Sequence, residues 1–402
     1  MQEMENPSSF SDWIPNQPTE TTTPELKTQV ADGGVRLILL SSLSDHANHV
    51  HLLIQQLSNK LQFFQKRVAF SLNFDLIHSF GQVVGWHQLL ESMFTHPFDI
   101  KISNNHHCIM VSDAYVKRIH VFDLTTREWK LSIQTTGKPY YLCLEENYDG
   151  KRNQDALIFE CVTKDEHVIY KYDLQQLLCN KSCEYLWKYF STVSELGSCM
   201  CIQYNKEECE IENLNDNKSS MSDSRKKQKS KLSRRSEKMR NCLLVSDYNA
   251  NSVKMFNAKT GNFVKNLEFK GKEVKSPYFM LVTRDSNELI LTEVDPSNRV
   301  KIYKERSKGI WDFVIEFGTQ QKLYHPFSLA YDSVSMRIVV SDYERHRIVV
   351  YNKNDGSFIT QHGSKGQSPQ KHFKNPNGIC LDERNGELYV CDYKNFRVLV
   401  FK

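Results

Sequence analysis

The sequence predicts an all-β fold, a six-bladed β-propeller, and three observations predict it. Residues 325–351 (HPFSLAYDSVSMRIVVSDYERHRIVVY) and 375–401 (NPNGICLDERNGELYVCDYKNFRVLVF) say one phrase twice, fifty positions apart. Four more worn stretches repeat it upstream. Each stretch carries the strand and turn signals of a four-stranded unit. A period of this size marks a repeat architecture, and a ring of four-stranded antiparallel sheets is a propeller.

Within a copy, the Pro is followed by five or six apolar or alternating residues, which suits a strand. A polar gap with Asn, Asp or Gly suits a hairpin turn. A β-branched run then ends at Ser-Asp, and a further turn leads to a third run such as RIVVY or RVLVF. An Asp-Gly or Thr-Gly and a fourth apolar stretch follow, as in residues 354–363 and 259–267.

The copies differ in wear. Asp342 with Arg347 and Asp392 with Arg397 share one spacing, and residues 96–122 keep it in Asp113 and Arg118. Residues 276–303 have Glu293 for the Asp and one extra residue before Arg299. Residues 241–256 keep Asp247 but place Ser252 where the Arg belongs. Residues 138–172 keep the outline and lose the Asp. Recurrence from blade to blade marks these charged residues as a structural device, since a catalytic site needs such a group once.

The pattern resembles the NHL repeat, most closely in the last copy through Pro376, Gly378, Ile379, Tyr389, Val390, Asp392, Asn395, Arg397 and Val398. The resemblance covers roughly residues 70–402. It implies the propeller fold and says little of function, because one fold hosts many activities.

The last copy ends after its third strand. Residues 70–81 (FSLNFDLIHSFG) match the fourth-strand signature of the other copies. An N-terminal strand is therefore expected to complete the last blade and latch the ring, which otherwise leaves unpaired backbone at its open ends.

Three domains follow: a disordered N-terminal tail over 1–33, an amphipathic helical segment over 34–69, and the propeller over 70–402. Leu43, Ala47, Val50, Ile54, Leu57, Leu61, Phe64 and Val68 hold heptad spacing. Either a helix lying on the propeller or a dimer zipper fits, so the chain is read as a monomer or a helix-mediated dimer. The start lacks the basic and apolar regions of a secretory signal, and no apolar run is long enough to span a membrane. The expected location is cytoplasmic, or nuclear through the basic insertion at 206–240. Eleven cysteines, mostly within strand patterns, are expected as reduced thiols; Cys179, Cys183, Cys199, Cys201 and Cys209 lack the paired spacing of a zinc site.

The net charge is +4, and residues 206–240 supply all of it, with eleven Lys or Arg and seven Asp or Glu. This insertion interrupts the third copy between its first and second strands and reads as a flexible loop. Its basic half includes Lys226, Lys227, Lys229, Arg234 and Arg235, the composition of a nuclear-import or nucleic-acid-binding tract.

The residue after each Pro is Phe98, Tyr140, Tyr278, Phe327 and Asn377 in successive copies. These positions can form a collar at the channel mouth that anchors a partner, or pack between blades. Three functions compete. A non-catalytic scaffold for a protein or peptide leads. RNA binding is the alternative, which the resemblance allows and to which Lys117, Arg345 and Lys394 could contribute. A metal-dependent propeller hydrolase or lyase is the third, for which His96, His106, His107 and His325 are too few and scattered. No cofactor and no metal are expected.

Overall fold

The computed structural model describes residues 26–31, 34–39, 67–81, 93–150, 153–179, 184–191, 199–204, 241–294, 296–319 and 322–402. The chain divides into two compact units, Met1–Lys66 and Arg67–Lys402. In the first, β1 (Leu26–Ala31) and β2 (Gly34–Leu39) form an antiparallel hairpin in which Ala31 faces Gly34. Asp32-Gly33 stands between them, and Asp-Gly is a strong two-residue hairpin signal. The described residues here are strands, where the sequence reading has tail up to residue 33 and helix from residue 34. The heptad positions 43–64 and the basic tract 226–235 lie outside the described residues.

The second unit is the propeller, with six four-stranded antiparallel blades. The first blade comprises β4 (Pro97–Ser103), β5 (Cys108–Asp113), β6 (Arg118–Asp123) and β7 (Trp129–Gln134). The second comprises β8 (Lys138–Glu145), β9 (Ala156–Val162), β10 (His167–Asp173) and β11 (Trp187–Ser191). In the third, β12 (Met200–Tyr204), β13 (Asn241–Asp247), β14 (Ser252–Asn257) and β15 (Phe263–Asn266) align so that Tyr204 faces Asn241 across the mouth of the insertion. The fourth comprises β17 (Pro277–Val282), β18 (Glu288–Glu293), β19 (Arg299–Ser307) and β20 (Ile310–Phe317), with β16 (Glu268–Lys270) added in parallel to β20. The fifth comprises β21 (Pro326–Asp332), β22 (Arg337–Asp342), β23 (Arg347–Asn352) and β24 (Phe358–His362).

A short parallel pair, β25 (Ser364–Lys365) and β26 (His372–Phe373), leads into the sixth blade, which comprises β27 (Pro376–Asp382), β28 (Glu387–Asp392) and β29 (Arg397–Phe401), and whose fourth strand is β3 (Leu76–Phe80). Phe80 faces Val398 and Leu76 faces Phe401, so the N-terminal strand latches the ring as expected. The strand is shorter than residues 70–81. Leu72 and Phe74 take positive φ, 70° and 54°, which a strand cannot hold. The leading segment instead buries Phe70 and Phe74 against Phe373 and Phe401, and the Phe70 amide donates to Asp332 of the fifth blade at 3.0 Å.

Burial explains the strand patterns. Each second strand lies between neighbouring blades and is covered on both faces: every residue of Cys108–Asp113 is buried. It therefore reads as a continuous apolar run. Fourth strands such as Phe358–His362 lie at the outer edge and stay largely accessible. The innermost strands touch in sequence around the ring, the last against the first. At that seam Gly378 is required, because a Cβ there would stand 2.6 Å from Asp99 Cα and 2.8 Å from the Phe98 carbonyl oxygen.

Candidate functional site: the Pro-marked rim

In four blades the recurring acid ties down the chain just before the innermost strand, whereas Asp247 of the third takes the Ala250 amide at 3.0 Å. Asp342 accepts the Tyr324 amide at 2.8 Å, Asp392 the Lys374 amide at 2.7 Å, Asp113 the Thr95 amide at 2.5 Å and Glu293 the Lys275 amide at 2.6 Å. Each donor is the second residue before the blade's Pro. The acid thereby fixes where the innermost strand enters the rim.

The cation beside that acid varies. Arg347 Nε reaches Asp342 at 2.8 Å, and Arg397 Nε reaches Asp392 at 2.9 Å. In the third blade Lys254, two residues past Ser252 and on the same strand face, lies 2.8 Å from Asp247. In the fourth, Lys301 lies 2.7 Å from Glu293 while Arg299 stands off at 3.9 Å. Arg118 turns away from Asp113 and donates to Gln134 Oε1 at 3.2 Å. Asp392 and Arg397 are both buried. The recurring charges are thus partnered within the blades.

The Ser of Ser-Asp links blades at the collar itself. Ser112 donates to the Tyr140 carbonyl at 2.7 Å, Ser246 to the Tyr278 carbonyl at 3.1 Å and Ser341 to the Asn377 carbonyl at 2.7 Å. Each bond runs from one blade to the innermost strand of the next.

The collar side chains meet one another. Phe98 lies 4.9 Å from Tyr140 and 5.2 Å from Phe327, and Tyr278 lies 5.0 Å from Phe327, between ring centroids. Phe98 and Phe327 belong to the first and fifth blades, which the sixth separates. Their contact passes over the sixth blade's position, where Asn377 is small. These rings close together as a plug between several blades, beyond packing between immediate neighbours. Asn377 is buried, and neither its amide nitrogen nor its oxygen finds a hydrogen-bond partner.

Tyr141 also joins the plug, 5.3 Å from Phe98 and 6.2 Å from Phe327. Sequence reasoning missed it because strand alternation sends it away from Tyr140. A β-bulge between Pro139 and Leu142 disturbs that alternation. The same irregularity follows Pro97, Pro277, Pro326 and Pro376.

Outside the plug lies a second aromatic group, also missed. His96 stands 4.1 Å from Tyr115, 4.8 Å from Tyr393 and 5.3 Å from Phe396. Tyr115 is 58% and Phe396 37% exposed. The repeated Asp-Tyr was a signal for Tyr393 alone, since Tyr115 follows Ala114 and Phe396 follows Asn395. Burial holds His96 below its ordinary pKa, helped by Lys394 and opposed by Asp113, which favours a neutral ring among these aromatics.

Deeper in the ring Lys101 pairs with Asp99 at 2.8 Å. Burial pushes the Cys199 and Cys380 thiols up to about 12, so both are held protonated as small apolar residues. Among the described residues no cluster of His, Cys, Asp or Glu is placed to hold a metal ion, and no described helix is long and apolar enough to cross a membrane.

Fold and rim together define a six-bladed propeller whose Pro-marked face is aromatic. The NHL repeat model matches residues 373–401, the sixth blade with its approach. NHL repeat-containing protein 2 from Gallus gallus is 27% identical over 180 residues, which are 43% of this chain and 20% of that protein. The match therefore spans a fifth of that relative's length. An auxiliary nutrient binding protein from Bacteroides thetaiotaomicron is similar in structure, with a TM-score of 0.53 and 11% identity over 77% of this chain and 69% of that one. At that identity the likeness concerns the fold alone. The Cps50 (Swd1) β-propeller domain of Myceliophteria thermophila aligns with a TM-score of 0.48 and 11% identity, over 76% of this chain and 96% of that domain. The sixth blade of this propeller thus matches an NHL repeat.

Proposed function

We propose that this chain is a non-catalytic scaffold that binds a protein or peptide partner with the Pro-marked rim. One observation carries the reading: the exposed aromatic group around His96 lies beside a plug of Phe98, Tyr140, Tyr278 and Phe327, held at the Tyr140 and Tyr278 carbonyls by the preceding blades. Rigid aromatic side chains anchor partners at low entropic cost. The repeated acids supply no reactive centre, since each is spent on a backbone amide, and all but Asp113 on a neighbouring cation as well.

Co-purification from cell extract tests this. Four forms are compared: the intact chain, a form lacking residues 206–240, the rim variant Y115A/F396A, and R384E on the opposite rim. Partners retained by the loop deletion and by R384E but lost from Y115A/F396A support the reading. Partners that follow the loop and ignore the rim substitutions overturn it.

A further inference from the structure

The chain outside residues 206–240 is formally neutral, yet the fold separates its charge. Lys117, Arg345 and Lys394 are exposed in the rim turns of the first, fifth and sixth blades, with Lys138 half-buried beside them. The connector 363–375 leading into the sixth blade holds three lysines and no acid. None of these cations is in an ion pair among the described residues. The acids of the same turns, Asp113, Asp342 and Asp392, are buried and already bonded. Glu344 is the exposed acid among the described residues of these three turns. Asp123, Asp332 and Asp382 cap turns of the opposite rim by accepting the amides two residues on, and the exposed acids Asp165, Glu166 and Glu273 of the Pro-marked rim belong to the second blade and to the approach to the fourth, outside these three turns. Overall neutrality therefore conceals a basic sector on the aromatic rim.

We infer that this sector binds an acidic peptide segment bearing an aromatic side chain. The inference rests on the scaffold reading above and names the partner's chemistry. The aromatic residue meets the exposed edges of Tyr115 and Phe396 beside His96, an edge-to-face contact that needs no open face on Tyr115, and the carboxylates lie along Lys117, Lys138 and Lys394. The ring geometry favours a peptide over single-stranded RNA. Base stacking needs open ring faces, whereas Tyr115 has His96 at 4.1 Å and the Lys138 ammonium 5.4 Å from its centroid. Tyr343 similarly has Lys394 at 6.0 Å.

Fluorescence anisotropy with the full chain tests the inference. The probes are a labelled peptide of alternating Glu and Tyr, versions with Lys for Glu and with Ala for Tyr, and a uridine oligonucleotide. The Glu-Tyr peptide is expected to bind, with affinity falling roughly tenfold or more from low to physiological salt. Both altered peptides should bind at least about tenfold more weakly. K117E/K394E should weaken the Glu-Tyr peptide by a similar factor, and R384E should leave it unchanged; both change exposed side chains, and thermal melts check that both fold. Equal binding of the Lys-Tyr peptide, indifference to K117E/K394E, or tighter binding of the oligonucleotide overturns the inference. If no acidic probe binds while co-purified partners still depend on Tyr115 and Phe396, the partner chemistry is wrong and the scaffold reading stands. If that dependence is also missing, the scaffold reading falls with it.

Discussion

In the sixth blade the charged device is internal: Asp392 takes the Lys374 amide, Asn395 Nδ2 at 2.8 Å and Arg397, all within that blade and its approach. The second blade has no such Asp, and its buried carboxylates reach outward. Glu145 pairs with Lys171 at 2.6 Å and takes Asn241 Nδ2 of the third blade at 2.7 Å, while Lys171 also donates to the Ala258 carbonyl at 2.8 Å. On the other side Asp155 takes Ser103 and Asn105 of the first blade at 2.6 and 2.7 Å. A blade that has lost the repeat signature is thus bonded to both neighbours. The sixth blade keeps its signature and is bonded outward as well, through Glu387 to Arg127 of the first blade at 2.7 Å, so strength of signature says little of how firmly a blade sits in the ring.

The hardest test of the sixth blade removes the strand it borrows. Deleting residues 70–81 exposes the edge of β29 and takes away Phe70, Phe74 and Phe80, each buried and each contributing about 1.5–3 kcal/mol. Together they approach the ~5–15 kcal/mol stability of a typical domain. Loss of the single cooperative thermal transition by circular dichroism is expected. An unchanged melting curve would show that the sixth blade does not depend on its latch.

The second blade is tested by K171M, which leaves Glu145 buried without its cation and should cost about 3–5 kcal/mol in denaturant unfolding. Replacing both partners, as E145L/K171M, should cost less than K171M alone. If both forms unfold alike, the outward tie is not what holds this blade.

Asp155 gives a smaller and pH-dependent effect. Burial raises its pKa, but hydrogen bonds from His106, Ser103, Asn105 and the Asn147 amide outweigh burial and bring it below its ordinary 3.8. A lowered folded pKa contributes stability above 3.8 that is lost as pH falls through the folded value. D155A should therefore cost about 1–3 kcal/mol at neutral pH, with the gap from the parent chain narrowing only below that value. A gap that is constant down to acid unfolding would refute the assignment.

Much of the fold was legible because its signals are local. Pro, Ser-Asp and the β-branched runs mark strand ends within each copy, and the fourth-strand likeness of residues 70–81 pointed to the latch. The rim was half legible. The position after each Pro marked Phe98, Tyr140, Tyr278 and Phe327, but Tyr141 was hidden by a bulge that strict alternation cannot anticipate. The sector around His96 joins residues from Tyr115 to Phe396, which only closure of the ring brings together. Charge was misleading for the same reason: a neutral sum along the chain does not register which rim each turn faces. The pair Glu145 and Lys171 gave no periodic signal, since it occurs once.

Asp113 and Arg118 show the limit of spacing as a guide, and they yield the smallest predicted effect. Their separation matches that of Asp392 and Arg397, and in register they face each other across β5 and β6. Yet Asp113 is satisfied without the guanidinium. It takes the Thr95 amide and the Thr95 hydroxyl, at 2.5 and 2.7 Å, and the His96 amide at 3.2 Å. The residues at the position of Thr95 in the fourth, fifth and sixth blades are Lys275, Tyr324 and Lys374, none of which brings an aliphatic hydroxyl to the acid, and in those blades Lys301, Arg347 and Arg397 pair with the acid instead. Arg118→Ala should therefore cost about 0.5 kcal/mol or less, while Thr95→Val, which removes a hydrogen bond to a charged group, should cost ~1.5–3 kcal/mol. Urea unfolding of the two variants gives the order directly. A larger loss for Arg118→Ala would mean that the shared spacing, and not the hydroxyl, holds the first blade's entry to the rim.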